Sequence, residues 1–567
     1  MGPNLYSSRM GAALEVPPDP DRAESVVRAW VHFVRALSAA IGWPDPEIHV
    51  RTRRAGVSLY LSAPMDGLMT ATEIAEVAWG LAERGTRERQ TGAMDAEIIA
   101  SVSAMAAEER RSHSNLVAVY EAAIGRAVCA TFDDDTLTIG SGSGARSWPL
   151  AEIPAPRDVP WPDIGDARIA LVTGSNGKTT TTRLVSAMWR AHGGTPGRCC
   201  SDGVWIDGTQ VEAGDYSGPV GARRVLRAPE VDAAVIECAR GGMLRRGLAM
   251  SRADAAIITN IAADHFGEYG VDSLDDLTDA KRIVERVLSS DGWLVLNADD
   301  PHLAVVAATS RARVALFSAR GGGTAVEAHV TGGGEAAIVR EGRIALHHER
   351  TWRDMGRVDA MPLTMRGAAP HNVQNILGAV LLARTLGASV DAIRSTLVTF
   401  GASNRDNPGR LQRYAFGGVD VLVDYAHNPD GLAALCETAR SIPATRRLLL
   451  LGQAGNRDDD EIRDLVRVAM RLLPFDRVII KEELKLLRGR SEGDVPRILS
   501  DELDRMGVPR SSVEITRDEV AAMRRAFEWA RAGDLLVCPI HVDKADVLAW
   551  LRRVQEAGWT PGMPVPD

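Results

Sequence analysis

The stretch that decides the fold is VTGSNGKTTTTRL, residues 172–184. An apolar run, IALV at 169–172, leads into it, two glycines punctuate it, and Lys178 and Thr179 open a segment with helical spacing. Strand, glycine turn and helix start in that order cradle phosphates. Backbone N–H groups of the turn and of the helix N-terminus face the oxygens, Lys178 neutralises the terminal phosphates, and the Thr179 hydroxyl reaches Mg²⁺. The loop reads G-x-x-G-K-T, two residues shorter than the G-x-x-x-x-G-K-[ST] form. Gly174, Ser175, Asn176, Gly177, Lys178, Thr179 and Thr180 are therefore the nucleotide-binding candidates, against the plainer reading of a glycine turn that caps a helix.

Outward from this loop the texture repeats. Apolar runs at 233–236, 255–259 and 293–297 end abruptly in ECARGG, NIAADH and ADDP, with helical patterns between them. Apolar strands separated by helices imply a parallel sheet, and such sheets bind ligands at their strands' carboxyl ends, where each of these motifs falls. Residues 321–365 are glycine-rich; TAVEAHV (324–330) and EAAIVR (335–340) read as short strands, and 371–386 as a helix. A second series follows at 419–424, 447–451, 477–480 and 534–538, predicting a smaller three-layer α/β unit. Before the loop, 22–41, 70–84 and 95–109 read as helices and 57–61 as a strand, while five prolines in 146–166 predict a linker without regular structure. The expected units are an α+β N-terminal region at 1–160, a central unit at 161–405 and a C-terminal unit at 406–567.

The 567 residues are 45% hydrophobic and 25% charged, a globular mix, and the net charge of −9 gives no global attraction to nucleic acid or anionic membrane. No apolar run approaches the ~20 residues of a membrane span, and the start has no signal-like segment. Six scattered cysteines without a C-x-x-C pair suggest neither disulfides nor structural zinc, so the expected location is the cytoplasm. Only five of the 66 basic residues are lysines (Lys178, Lys281, Lys481, Lys485, Lys544), so a lysine marks a position where arginine does not serve.

GSNGKTT resembles the ATP loop of the Mur ligases and folylpolyglutamate synthetases, and residues 232–277 resemble the Mur-like half of cyanophycin synthetase. The likeness extends over about 169–550. It implies an α/β fold with a Mur-ligase-like P-loop central domain and a Rossmann-like C-terminal domain. It also implies an enzyme that uses ATP and Mg²⁺ to join a carboxylate to an amine, releasing ADP and phosphate. Such chemistry gathers negative charge and needs fixed cations.

By this resemblance Glu237 and His265 are magnesium ligands with Thr179, and Lys281 sits where Mur ligases carbamylate a lysine to make a further ligand. With Lys178, these are the catalytic candidates. The residues themselves agree in part. Glu237 ends an apolar strand and needs a positive partner; Leu277 and Val284 share a helical face with Lys281, which should therefore point into protein. GAAPHNVQN (367–375) matches the family's helix start, whose Asn372 and Asn375 would read adenine. NPGRLQ and VLVDYAHNPDG supply Arg410 for phosphates, Asp424 for ribose and His427 for the pocket wall. In KEELKLLRGRSEGD (481–494), Arg488 and Arg490 are candidates to grip a substrate carboxylate, with Glu482 and Glu483 as an alternative for a cationic amine.

The resemblance lacks one part: cyanophycin synthetase also carries an ATP-grasp module, and no glycine-rich nucleotide fingerprint precedes residue 160 here, although GPNLYSS and SLYLSAP resemble that enzyme's N-terminal region. The expected activity is thus a single amide-forming step on a small acidic molecule or peptide plus an amine, with a homo-oligomer left open. The competing readings are a folylpolyglutamate-synthetase-like ligase and a catalytically weak nucleotide-binding regulatory relative.

Overall fold

The computed structural model describes the chain except residues 1, 18–22, 44, 54–55, 89–94, 113 and 265. Strand Arg168–Thr173 lies in the middle of an eleven-stranded sheet. It pairs in parallel with Ala233–Glu237 on one side and Ala253–Ile258 on the other. Pro196–Cys200 extends one side; Leu288–Asn297, Arg313–Ser318 and Glu335–Arg340 extend the other, all in parallel register. Antiparallel hairpin strands finish both edges.

The parallel strands are apolar throughout because both faces are covered. Helices Lys178–Ala191 and Pro370–Leu386 bury one face around Val172, Ile257, Phe317 and Leu381. Helices including Pro219–Leu226 and Leu274–Arg282 bury the other around Leu171, Ile236, Ile258 and Val284. Strands sandwiched in this way cannot alternate polar and apolar residues, which is why they read as continuous hydrophobic runs.

A six-stranded sheet follows, ordered Gln412–Phe416, Val419–Asp424, Leu535–Pro539, Arg447–Leu451, Arg477–Lys481 and Val513–Thr516. Only the first strand is antiparallel. Upstream, Gly56–Ser62 is flanked by Gly11–Val16 and Ile48–Arg53, with helices Ala23–Ala40 and Leu68–Glu88 packed over it through Trp30, Leu37 and Ile74. Among the described residues no helix is long and apolar enough to cross a membrane, and all six cysteines are free and buried.

Two sequence expectations fail. TAVEAHV is not a strand but the body of helix Gly323–Thr331. Strands 313–318 and 335–340 are parallel neighbours, which requires a crossover between them, and Ala and Glu suit a helix better than the local alternation suggested. The proline-rich segment is not free of regular structure either. Arg146–Pro149 is a strand paired with Thr136–Ile139, and the remainder forms short 3₁₀ turns whose Ile153 and Val159 are buried beside Leu116. Its prolines stop the strand without loosening the chain.

Candidate active site

The phosphate loop sits at the carboxyl end of the central strand. Gly174 has φ +142° and Gly177 φ +84°, both in the left-handed region, and a Cβ on Gly177 would lie 2.1 Å from Asn375 Oδ1. Both positions therefore exclude a side chain. The loop is anchored from the next strand end: Asn260 accepts the Ser175 N–H on its carbonyl and the Asn176 N–H on its side chain, each at 2.9 Å. The Lys178 ammonium donates to its own loop, to Gly174 O at 3.0 Å and Ser175 O at 2.9 Å. Its hydrogen bonds among the described residues go to carbonyls, so an anion entering the loop finds a cation already aimed there.

Beside it, Glu237 is 2% exposed and accepts the Thr179 hydroxyl at 2.9 Å. Burial pushes its carboxyl up, and Lys178 and Arg410 oppose that rise. Burial likewise lowers the Lys178 amine against the pull of Glu237. Arg410 arrives from the second sheet, donates to Thr179 Oγ1 at 3.2 Å and Ser201 Oγ at 3.1 Å, and stacks on Tyr425 with 4.2 Å to the ring centre. Thr180 accepts from Asn407, which also accepts from Arg183 of the loop helix.

One cavity of about 580 Å³ is lined by Ser175, Asn176, Gly177, Lys178, Thr179, Thr180, Glu237, Asn372, Asn375, Arg410, Asp424 and His427. The structure thus brings together most of the residues singled out in the sequence. Asn372 donates to Leu363 O and Asn375 to Asn372, so the pair is a fixed wall that also presses on Gly177. Asp424 accepts the Leu411 N–H at 2.7 Å; burial raises its carboxyl and Arg410 opposes the rise. Burial lowers His427 to about 3, against the pull of Asp264, leaving a neutral imidazole.

Lys281 is 3% exposed on helix Leu274–Arg282, outside the cavity lining. Burial first, and Lys178 second, hold its amine well below the ordinary lysine range. His265 lies outside the described residues. Arg488 is exposed, while Arg490 faces protein: it donates to Gly455 O and Arg457 O and pairs with Asp459 at 2.9 Å. Glu483 is bound by Lys481 and His541, and Glu482 accepts the Gly493 N–H.

The loop braced by Arg490 presents a residue not anticipated from sequence. Arg457 is 5% exposed, pairs with Asp264 of the central unit at 2.9 Å, and its Nη1 has no hydrogen-bond partner among the described residues. Its one signal was position, in the loop GQAGNRDDD (452–460) after a parallel strand.

The donor set suits a magnesium nucleotide. A helix N-terminus and an ammonium would fit phosphates, and the buried hydroxyl–carboxylate pair of Thr179 and Glu237 would fit a divalent ion.

The chain resembles known proteins. Residues 172–383 match the family model of the Mur ligase middle domain, and 409–539 that of the Mur ligase glutamate ligase domain. The chain is 35% identical over 398 residues to a cyanophycin synthetase of Nostoc sp. (strain PCC 7120), covering 70% of this chain and 44% of that protein, so it spans under half of that relative. It is 31% identical over 384 residues to a UDP-N-acetylmuramoylalanine–D-glutamate ligase of Symbiobacterium thermophilum, covering 66% of this chain and 70% of that one. A solved bifunctional folylpolyglutamate synthase/dihydrofolate synthase, holding Mn, AMPPNP and L-glutamate, aligns at TM-score 0.49 and 19% identity over 68% of this chain and 89% of its own. The chain belongs to the Mur ligase family.

Proposed function

We propose that this ligase joins an amino acid or related amine to the carboxylate of an acidic amino acid or peptide, through an acyl phosphate. The observation that carries the reading is the meeting, in one cavity, of Lys178, Thr179 and Glu237 from one sheet with Arg410 from another. In this reading Lys178 and Arg410 hold the phosphates from opposite sides. A carboxylate oxygen of the acid attacks the γ-phosphorus as the bond to ADP breaks. The amine nitrogen then attacks the acyl carbon and inorganic phosphate leaves, so one amide forms per ADP. Both stages add charge where these cations are already fixed.

Thr179, Glu237, His265 and Lys281 are the residues proposed to hold magnesium, which when bound supplies charge neutralisation at the phosphate oxygens. Lys281 would join as a carbamate. Its burial supports this, because only an unprotonated amine adds CO₂. A ¹³C-bicarbonate NMR signal present in the wild type and absent from Lys281→Met is the expected result.

Adenine is assigned to the wall of Asn372 and Asn375, and ribose to Asp424. The orphan Nη1 of Arg457 makes it, in place of Arg490, the better candidate to hold a substrate carboxylate, with Arg490 bracing its loop. The test is a panel of amino acids and acidic dipeptides assayed for ADP with product masses. A ligase releases ADP only when acid and amine are both present, whereas a regulatory relative binds ATP and releases little in any mixture.

A further inference from the structure

A second cluster of buried charge lies off the cavity, at the carboxyl ends of the second sheet. Lys481, last in its strand, is 0% exposed. Its ammonium donates to Glu519 and, at 3.2 Å, to Glu483 Oε1. His541 Nδ1 meets the same Glu483 oxygen at 2.5 Å, and His541 Nε2 meets Ala426 O at 2.9 Å. Glu519, at the start of helix Glu519–Trp529, also accepts the backbone N–H groups of His541 and Asp543 at 2.5 and 2.7 Å. The ligand atoms of Glu483, Glu519 and His541 lie within 4.8 Å of one another, a spacing a metal ion could use, but the Lys481 ammonium contacts all three.

His541 Nε2 faces a carbonyl, an acceptor that cannot donate, so that nitrogen carries hydrogen, while Nδ1 lies between the Glu483 carboxylate and the Lys481 ammonium. Each buried carboxylate of the cluster is met by donors, which is what makes so buried a cluster tolerable. Burial pushes the Glu483 carboxyl up, but His541 and Lys481 outweigh it and hold it at about 2.

The network ends on the segment that presents Arg410. His541 fixes the Ala426 carbonyl and packs edge-on against Tyr425, ring centres 5.4 Å apart. Tyr425 is the ring on which Arg410 lies as it reaches Thr179.

We infer that His541, held by Glu483, Lys481 and Glu519, is a positioning residue that sets the Tyr425 platform and so aims Arg410 at the phosphates. This rests on the nucleotide reading above and adds residues that touch no substrate. Nothing else described in the structure supports the Ala426 carbonyl from a side chain. Without this hold the platform could turn while the core beneath it stays packed.

The experiment is calorimetric titration of the full chain with AMPPNP and Mg²⁺, with melting followed in parallel. His541→Leu and Glu483→Gln should each bind about tenfold more weakly, the scale of one charge-assisted phosphate contact. His541→Gln, which keeps a donor for Ala426, should bind within about threefold of wild type. In an Arg410→Ala background His541→Leu should add no further loss, since both changes remove one effect. Wild-type affinity in His541→Leu, or a loss that adds in full to that of Arg410→Ala, overturns the inference. Should His541→Leu fail to melt cooperatively, Glu483→Gln carries the same comparison. Failure of the wild type to bind AMPPNP is a separate result and overturns the nucleotide reading itself.

Discussion

Lys178, half-buried in the cavity wall, and Glu483, buried, show how differently two charges constrain the protein. The Lys178 ammonium is spent on two loop carbonyls, so Lys178→Ala should leave the melting temperature nearly unchanged and reduce ADP formation to near background; retained turnover would remove the phosphate-loop assignment. Glu483 works in the folding equilibrium. Its carboxyl, ordinarily near 4.5, sits at about 2 in the folded chain after burial is outweighed by His541 and Lys481. The unfolded chain therefore binds a proton before the folded one does, and stability from this group, full above pH 4.5, is lost as pH falls towards 2. Glu483→Gln should flatten the fall in stability between those values, measured by urea denaturation; an equally steep fall would contradict the assignment. At this scale the sequence was legible where chemistry concentrates in a motif. Lys178, Thr179 and Glu237 stood out, and the scarcity of lysine singled out Lys281. Arg457 did not stand out, because an arginine in a polar loop has no local mark and gains meaning only from Asp264, 193 residues away.

Elements were read correctly where burial sets a period and missed where topology overrides it. The apolar strands at 169–173, 233–236 and 419–424 needed no context, since two covered faces force a continuous run. TAVEAHV alternates like a strand yet is helical, because a crossover must bridge parallel strands on either side. Helix starts give an independent check. Helix Asp459–Leu472 opens with a capping box in which Asp458 accepts the Glu461 N–H at 2.8 Å. Asp458→Ala should cost about 1 kcal/mol in denaturant unfolding with the slope unchanged. Gly177→Ala should be harsher for function than for folding. Its new methyl would strike Asn375, so nucleotide affinity should fall steeply while the melt shifts by only a few degrees, about what 1 kcal/mol moves a domain this large.

Across the whole molecule, the two sheets meet through apolar contacts, with Met365 and Ala369 packed against the core of the second sheet, and through polar ones. Asn176 donates to Asp430 at 2.8 Å, Arg183 to Asn407 at 2.7 Å and Arg457 to Asp264 at 2.9 Å, and Lys544 pairs with Asp202. A seam that mixes polar pairs with a small apolar contact suits units that open for substrates and close for chemistry, excluding water that would hydrolyse an acyl phosphate. Such closure could be anticipated only as a need of the chemistry, because each pair joins residues far apart in the chain. In the proposed reaction an oxygen of the acid is transferred to phosphorus in this seam. The most direct measurement supplies an acidic peptide labelled with ¹⁸O in its carboxyl group, with ATP and an amine that supports ADP release, and weighs the inorganic phosphate by mass spectrometry. One labelled oxygen per phosphate released is the predicted result; ADP formed with unlabelled phosphate would contradict it.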